Sequence, residues 1–232
     1  MLRRVALFAL LLGLCANTAF ARPYVVYDMR RIVGVRDTAE GQKKYFDVGF
    51  MRQVLGDLYV HASNYPPQFD SEQDKQRAQR DLRVIMNSLP VLVEVPAPDQ
   101  RLLLDAAVAC SIGHNFDIPR AAENAVKYFE RLLALNPENP AANQQYGAFL
   151  GNTGQVKQGI PYLKKAQGLG VAEATYSLGL SYMILGDKKA ALENLEKYQS
   201  THPQDSRVAT LIKALRDKDT KFETVVHGKP AP

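Results

Sequence analysis

Apolar residues along the first third of the chain recur at steps of three and four. Phe46, Phe50, Met51, Val54, Leu55 and Leu58 form one such stripe, the mark of a helix buried along one side. Asp37 with Glu40 three residues later resembles a capping start, so the pattern predicts a helix from there to about Ala62. Asn64-Tyr65-Pro66-Pro67 stops it, because proline lacks the amide proton and crowds the preceding turn. Ser71 and Asp74 open a second helix with the stripe Ala78, Leu82, Ile85 and Leu89, and Pro90 is expected to end it. Val91 to Pro98 then reads as an extended connector. Together the two segments predict an antiparallel helical hairpin. Ahead of it, residues 22–38 read as a lead-in strap; Tyr24-Val25-Val26-Tyr27 is extended in character but has no evident partner strand.

From Asp99 onward the pattern repeats. Ile112-Gly113, Tyr146-Gly147 and Leu178-Gly179 are the same large–small pair, 34 and then 32 residues apart. Phe116, Leu150 and Tyr182 follow at the same offsets, as do Ala125, Gly159 and Ala191, and Phe129, Leu163 and Leu195. Gly154 and Gly186 mark turns within the second and third units, and Pro137 and Pro203 close the first and third. Recurrence of several residue classes at one period is the signature of stacked structural repeats. The large residue wedges between helices, and the small one beside it lets two backbones approach. Ser206 to Leu215 carries Val208, Leu211, Ile212 and Leu215 on one side, as a terminal capping helix requires.

The segment from Ala174 to Leu195 resembles the tetratricopeptide repeat, and Ala122 to Pro137 resembles that family's second helix with its closing proline. The resemblance covers about residues 100–203. The second unit is shorter, turning at Gly168-Leu169-Gly170, which is similar to Sel1-like repeats, and the first unit has Pro119-Arg120 where the turn glycine belongs. The resemblance implies an all-α fold: a right-handed superhelical array of antiparallel helix pairs, with the N-terminal helical hairpin packed on the first pair. It also implies that ligands lie on the concave face, lined by the first helix of each pair. That nominates His114 beside Cys110, then Gln144, Ala148 and Asn152, then Glu173, Tyr176, Leu180 and Met183. Tyr176 is the preferred anchor, with packing inside its own helix pair as the alternative. Some family members clamp a carboxylate with Lys and Asn; here Cys110, His114 and Gln145 stand at those positions, which argues against that partner class.

The extreme N-terminus changes the cellular picture. Arg3 and Arg4 precede an apolar core from Val5 to Ala16, too short for an ordinary membrane span, and Ala19-Phe20-Ala21 is a small-x-small cleavage site. The expectation is a signal peptide over residues 1–21, cut after Ala21, giving a periplasmic or secreted protein with no membrane insertion once the leader is gone. Leu14 stands before Cys15 where a lipoprotein leader needs a small residue. The expected organisation is leader 1–21, strap and hairpin 22–98, repeats with their cap 99–216, and a flexible polar tail 217–232.

Composition supports a sizeable core, with 46% hydrophobic residues. The formal charge of +5 falls to about +3 without Arg3 and Arg4, and no basic block follows them, so a nucleic-acid partner is not expected. Cys110, His114 and Asp117 share one helix face. They read as packing or polar lining, or as a metal or Cys-His nucleophile site; a zinc site would need further ligands. His61, His202 and His227 are scattered and read as surface or capping residues. No phosphate-binding glycine loop or nucleophile elbow is present. The functional expectation is therefore a non-enzymatic scaffold or adaptor that binds a protein or peptide and carries no cofactor. Two others stand behind it: a structural subunit of an envelope complex bound through the hairpin edges, and an enzyme using Cys110 and His114.

Protein recovered after export is expected to begin at Arg22 and to carry no lipid. Intact-mass measurement checks this; a retained leader or an acylated Cys15 would contradict it.

Overall fold

In the computed structural model, which describes residues 23–217, two β-strands precede nine α-helices. The leader expected over residues 1–21 and nearly all of the expected tail lie outside the described residues. Strands β1 (Val33–Thr38) and β2 (Gly41–Phe46) pair antiparallel, with Val33 opposite Phe46 and Thr38 opposite Gly41. The helices are α1 (Val48–Ala62), α2 (Glu72–Val93), α3 (Gln100–Asn115), α4 (Ala121–Leu135), α5 (Pro140–Asn152), α6 (Val156–Gly168), α7 (Ala172–Ile184), α8 (Lys188–Thr201) and α9 (Ser206–Arg216). Contacts divide the described chain into two compact units, one ending at Leu135 and one beginning at Asn136.

The first unit holds the main departure from the sequence reading. Asp37 and Glu40 do not start a helix; Asp37 lies in the first strand of a two-stranded ribbon and Glu40 in its turn. Gly41, at φ 110°, takes a conformation closed to most residues, and the Thr38 hydroxyl donates to its carbonyl at 2.7 Å. The true helix start is Asp47, whose carboxylate accepts the Phe50 amide at 2.9 Å. From there the expected stripe is buried: Phe50, Met51, Val54, Leu55 and Leu58 all face the core. The N-terminal region is thus a small sheet followed by helices, not a helical hairpin: α1 and α2 touch each other sparingly, and both pack on α3.

The second helix starts where expected, with Ser71 accepting the Asp74 amide. It does not end at Pro90 but runs to Val93. One proline removes one interior hydrogen bond, and the helix end is held from outside. The Arg131 guanidinium donates to the Val93 carbonyl at 2.6 Å and also to that of Val95, while Lys127 and Tyr128 hold Glu94. Ala78, Leu82, Ile85 and Leu89 are buried as predicted.

The periodic residues place the helices in pairs, α3 with α4, α5 with α6, and α7 with α8. The small residues sit at the crossings. A Cβ on Gly113 would lie 3.1 Å from that of Ala121, and one on Gly179 2.7 Å from Leu195 Cγ. The tightest crossing is in the second pair, where a Cβ on Gly159 would lie 2.5 Å from the Gly147 carbonyl oxygen. The turn position recurs as well: Gly154 and Gly186 have φ of 81° and 77°, and Arg120 takes 62° at the equivalent place in the first pair. In the second unit α9 closes the last pair, with Val208, Ile212 and Leu215 packed on Ala191, Leu195 and Tyr198.

Gly159→Ala is expected to destabilise the fold by about 1–3 kcal/mol, despite alanine's better helix propensity. Its new methyl meets backbone, which cannot swing aside. Gly179→Ala meets a leucine side chain first, with backbone no nearer than 3.4 Å, and should cost less. Chemical denaturation of both variants checks this; equal midpoints would contradict it.

Candidate functional site

The residues nominated for binding stand on the first helices of the pairs, some in each unit. In the first unit that helix is α3, whose start is fixed by Asp99 accepting the Arg101 and Leu102 amides. Cys110 is buried, and burial pushes its thiol up to about 12. At neutral pH it is a protonated thiol and a poor nucleophile. His114 is half-buried, and burial holds its imidazole below the ordinary range against the opposing pull of Asp117. Among the described residues no group of three or more His, Cys, Asp or Glu gathers around one point.

In the second unit, the Asn139 side chain caps α5 with Pro140 in its first turn. Along this helix Gln144 and Ala148 are half-buried and Asn152 is exposed, at steps of four that keep them on one side. The next first helix, α7, approaches α5 where a Cβ on Gly151 would stand 4.0 Å from the Ser181 hydroxyl oxygen. On α7 Glu173 is exposed and Leu180 half-buried. Tyr176 and Met183 are half-buried and pack against the cluster joining α8 and α9. The Tyr176 ring lies 5.3 Å from that of Tyr198, and the Arg207 guanidinium sits over it at 5.8 Å. Arg207 is held in turn by two bonds to Asp205, the N-cap of α9, and Tyr198 stacks on His202 at 4.2 Å. The predicted set therefore divides: Gln144, Ala148, Asn152, Glu173 and Leu180 lie outside this cluster, whereas Tyr176 and Met183 help seat the terminal helix.

A polar cluster in the first unit escaped the sequence reading. His61, expected at the surface, is buried, as is Asp57 one turn earlier. Asp57 accepts the Val25 amide and the Tyr27 hydroxyl, each at 3.1 Å, and Tyr24 donates to Asp81 at 2.9 Å. Burial raises the Tyr24 phenol well above its ordinary value, with Asp81 adding to the shift, and burial raises the Asp81 carboxyl. The available signal was the spacing: Asp57 and His61 are one turn apart within the apolar stripe that includes Val54 and Leu58, where a polar pair on a surface helix would stand off the stripe.

With this geometry in place, the chain compares with known proteins as follows. Residues 172–205 match the tetratricopeptide repeat. A solved structure, TTC0263, a thermophilic tetratricopeptide-repeat protein of Thermus thermophilus, superposes with a TM-score of 0.51 at 15% identity, covering 72% of this chain and 91% of that one. YrrB, described as a tetratricopeptide-repeat protein with an unusual peptide-binding site, superposes at 0.49 with 17% identity, covering 71% and 82%. Among curated proteins, human aspartyl/asparaginyl beta-hydroxylase is 29% identical over 127 residues. That match takes in 54% of this chain but only 16% of the hydroxylase. The chain has the tetratricopeptide-repeat fold, and its third helix pair is a tetratricopeptide repeat in sequence as well.

Tyr176→Ala is expected to lower stability by about 1–3 kcal/mol, because the ring bridges Tyr198 and Arg207 beneath the terminal helix. Thermal melts check this; an unchanged midpoint would free Tyr176 from the packing role.

Proposed function

We propose that the protein is an exported, non-enzymatic scaffold that binds an extended or helical protein segment across the first helices α5 and α7 of its second unit. The observation that carries this reading is the side presented by α5 and α7, where Gln144, Ala148, Asn152 and Leu180 offer uncharged polar and apolar groups outside the cluster that seats α9. Such a surface suits a segment with modest apolar anchors and backbone polar groups, more than a highly charged ligand. The repeat fold supports a protein or peptide partner. The leader-like N-terminus supports export to the periplasm or beyond, and among the described residues no helix is long and apolar enough to cross a membrane. The protonated, buried state of Cys110 speaks against the thiol enzyme considered from sequence.

The second reading, a subunit held in an envelope complex through its N-terminal edges, draws on the ribbon β1–β2. Val33, Val35 and Tyr45 are exposed there, and among the described residues no third strand pairs with it.

Photo-crosslinking residues placed at Asn152 and Glu173 are expected to capture a partner segment, with a control at Lys188 on α8 capturing none. Leu180→Ala is expected to weaken that partner by about 1–2 kcal/mol without changing the melt. Capture from Lys44 on the ribbon, with none from Asn152 or Glu173, would reject the first-helix face in favour of the second reading.

A further inference from the structure

The ribbon β1–β2 exposes almost every residue it has. A lone two-stranded ribbon is marginal in water. Its pairing has a definite phase. The Asp47 amide donates to the Ile32 carbonyl at 2.9 Å, Val33 stands opposite Phe46, and Val35 stands opposite Lys44. Counting from that bond, Gly34 and Arg36 turn their amides and carbonyls toward β2, while Val33, Val35 and Asp37 turn theirs outward. Among the described residues no backbone group meets the outward ones, and no third strand pairs with the ribbon.

The two edges are not alike. Strand β2 carries Lys43 and Lys44 side by side, and lysines commonly guard an edge against strand addition. Strand β1 carries neither lysine nor proline, and its Val33 and Val35 are exposed. Those two valines share one face of the ribbon, and Arg36 stands on the other. There the Tyr45 ring lies across Gly34, where no Cβ would fit, and the Arg36 guanidinium sits over that ring at 5.9 Å. Opposite Arg36 in the register is Lys43, itself paired with Glu40. Arg36 thus faces a like charge across the ladder, which disfavours the pairing, and among the described residues no carboxylate pairs with it.

We propose that the β1 edge takes a third strand from a partner protein: an extended segment with aliphatic side chains on the face of Val33 and Val35 and a carboxylate on the face of Arg36. This builds on the second reading above, in which the ribbon makes the contact, and names the chemistry of what the ribbon holds. It does not depend on the first helices α5 and α7. Backbone bonds to Val33, Val35 and Asp37 supply affinity, and the alternation of aliphatic and acidic residues sets the register. A second copy of the chain fits less well. Antiparallel pairing of two β1 edges joins residues of the same face, so Arg36 would meet Gly34, Thr38 or its own counterpart and gain no carboxylate.

The probe is a labelled peptide, Ser-Val-Glu-Val-Glu-Val-Ser, titrated into the full chain with fluorescence anisotropy as the readout. It is expected to bind, and its counterpart with lysine in place of both glutamates at least about threefold more weakly. Arg36→Glu, a change at an exposed side chain, is expected to reverse that preference. Val35→Pro removes an outward amide without touching the ladder to β2 and is expected to abolish binding. Lys44→Pro does the same on the β2 edge and is expected to keep it. No binding by the wild type, equal binding of the two peptides, an unchanged preference in Arg36→Glu, or loss of binding in Lys44→Pro but not in Val35→Pro overturns the proposal. A wild-type dimer in sedimentation that Val35→Pro abolishes would put a second copy on the edge and overturn the claim of a separate partner. Crosslinking capture from Lys44 without peptide binding would reject this edge and keep the second reading; peptide binding without that capture would do the reverse.

Discussion

Paired helices in this protein can cross only where one side chain is missing. At the Gly147–Gly159 crossing the backbones come so near that an added methyl would fall within 2.5 Å of a carbonyl oxygen. At the same crossing Leu150 and Leu163 are buried. The other two pairs meet the same demand with different partners, Gly113 against Met86 of α2 and Ala121 of its own pair, and Gly179 against Leu195. The constraint is therefore one of volume at a crossing more than of any particular residue. It explains why the repeat is visible as a large–small pair.

The polar work of the fold is concentrated at ends and turns. Among the described helices, six begin on a side chain that accepts from the first turn: Asp47, Ser71, Asp99, Asn139, Asp187 and Asp205. Each satisfies a first-turn amide that the helix itself leaves without a partner. Arg131 does the equivalent service at the end of α2, which is how that helix tolerates Pro90. Three buried side-chain atoms among the described residues stand apart from this, with no hydrogen-bond partner: Asp57 Oδ1, His61 Nε2 and Arg77 Nε.

Tyr176 shows how a residue's neighbours change its reading. By its place in a first helix it belongs to the binding side, and an aromatic there is a natural anchor. Helix α9 supplies Arg207 and, with α8, a cluster that the ring and Met183 complete. Leu180, four residues on, is left out of that cluster and keeps a face to offer.

Sequence alone determined the repeat architecture, since a period of 34 and 32 residues and its large–small pairs survive any detail of packing. It also placed the stripes of α1 and α2 and the inner side of α9, because helical spacing is a local property of the chain. The ribbon at Val33 to Phe46 was not legible that way. Asp37 and Glu40 satisfy a capping pattern, and only the pairing of two strands across Gly41 overrides it. The seat of Tyr24 and the burial of His61 were also left to tertiary structure. Both depend on contacts among segments as far apart as Tyr24, Asp81 and Phe116, and no periodicity within one segment records which distant side chains will meet.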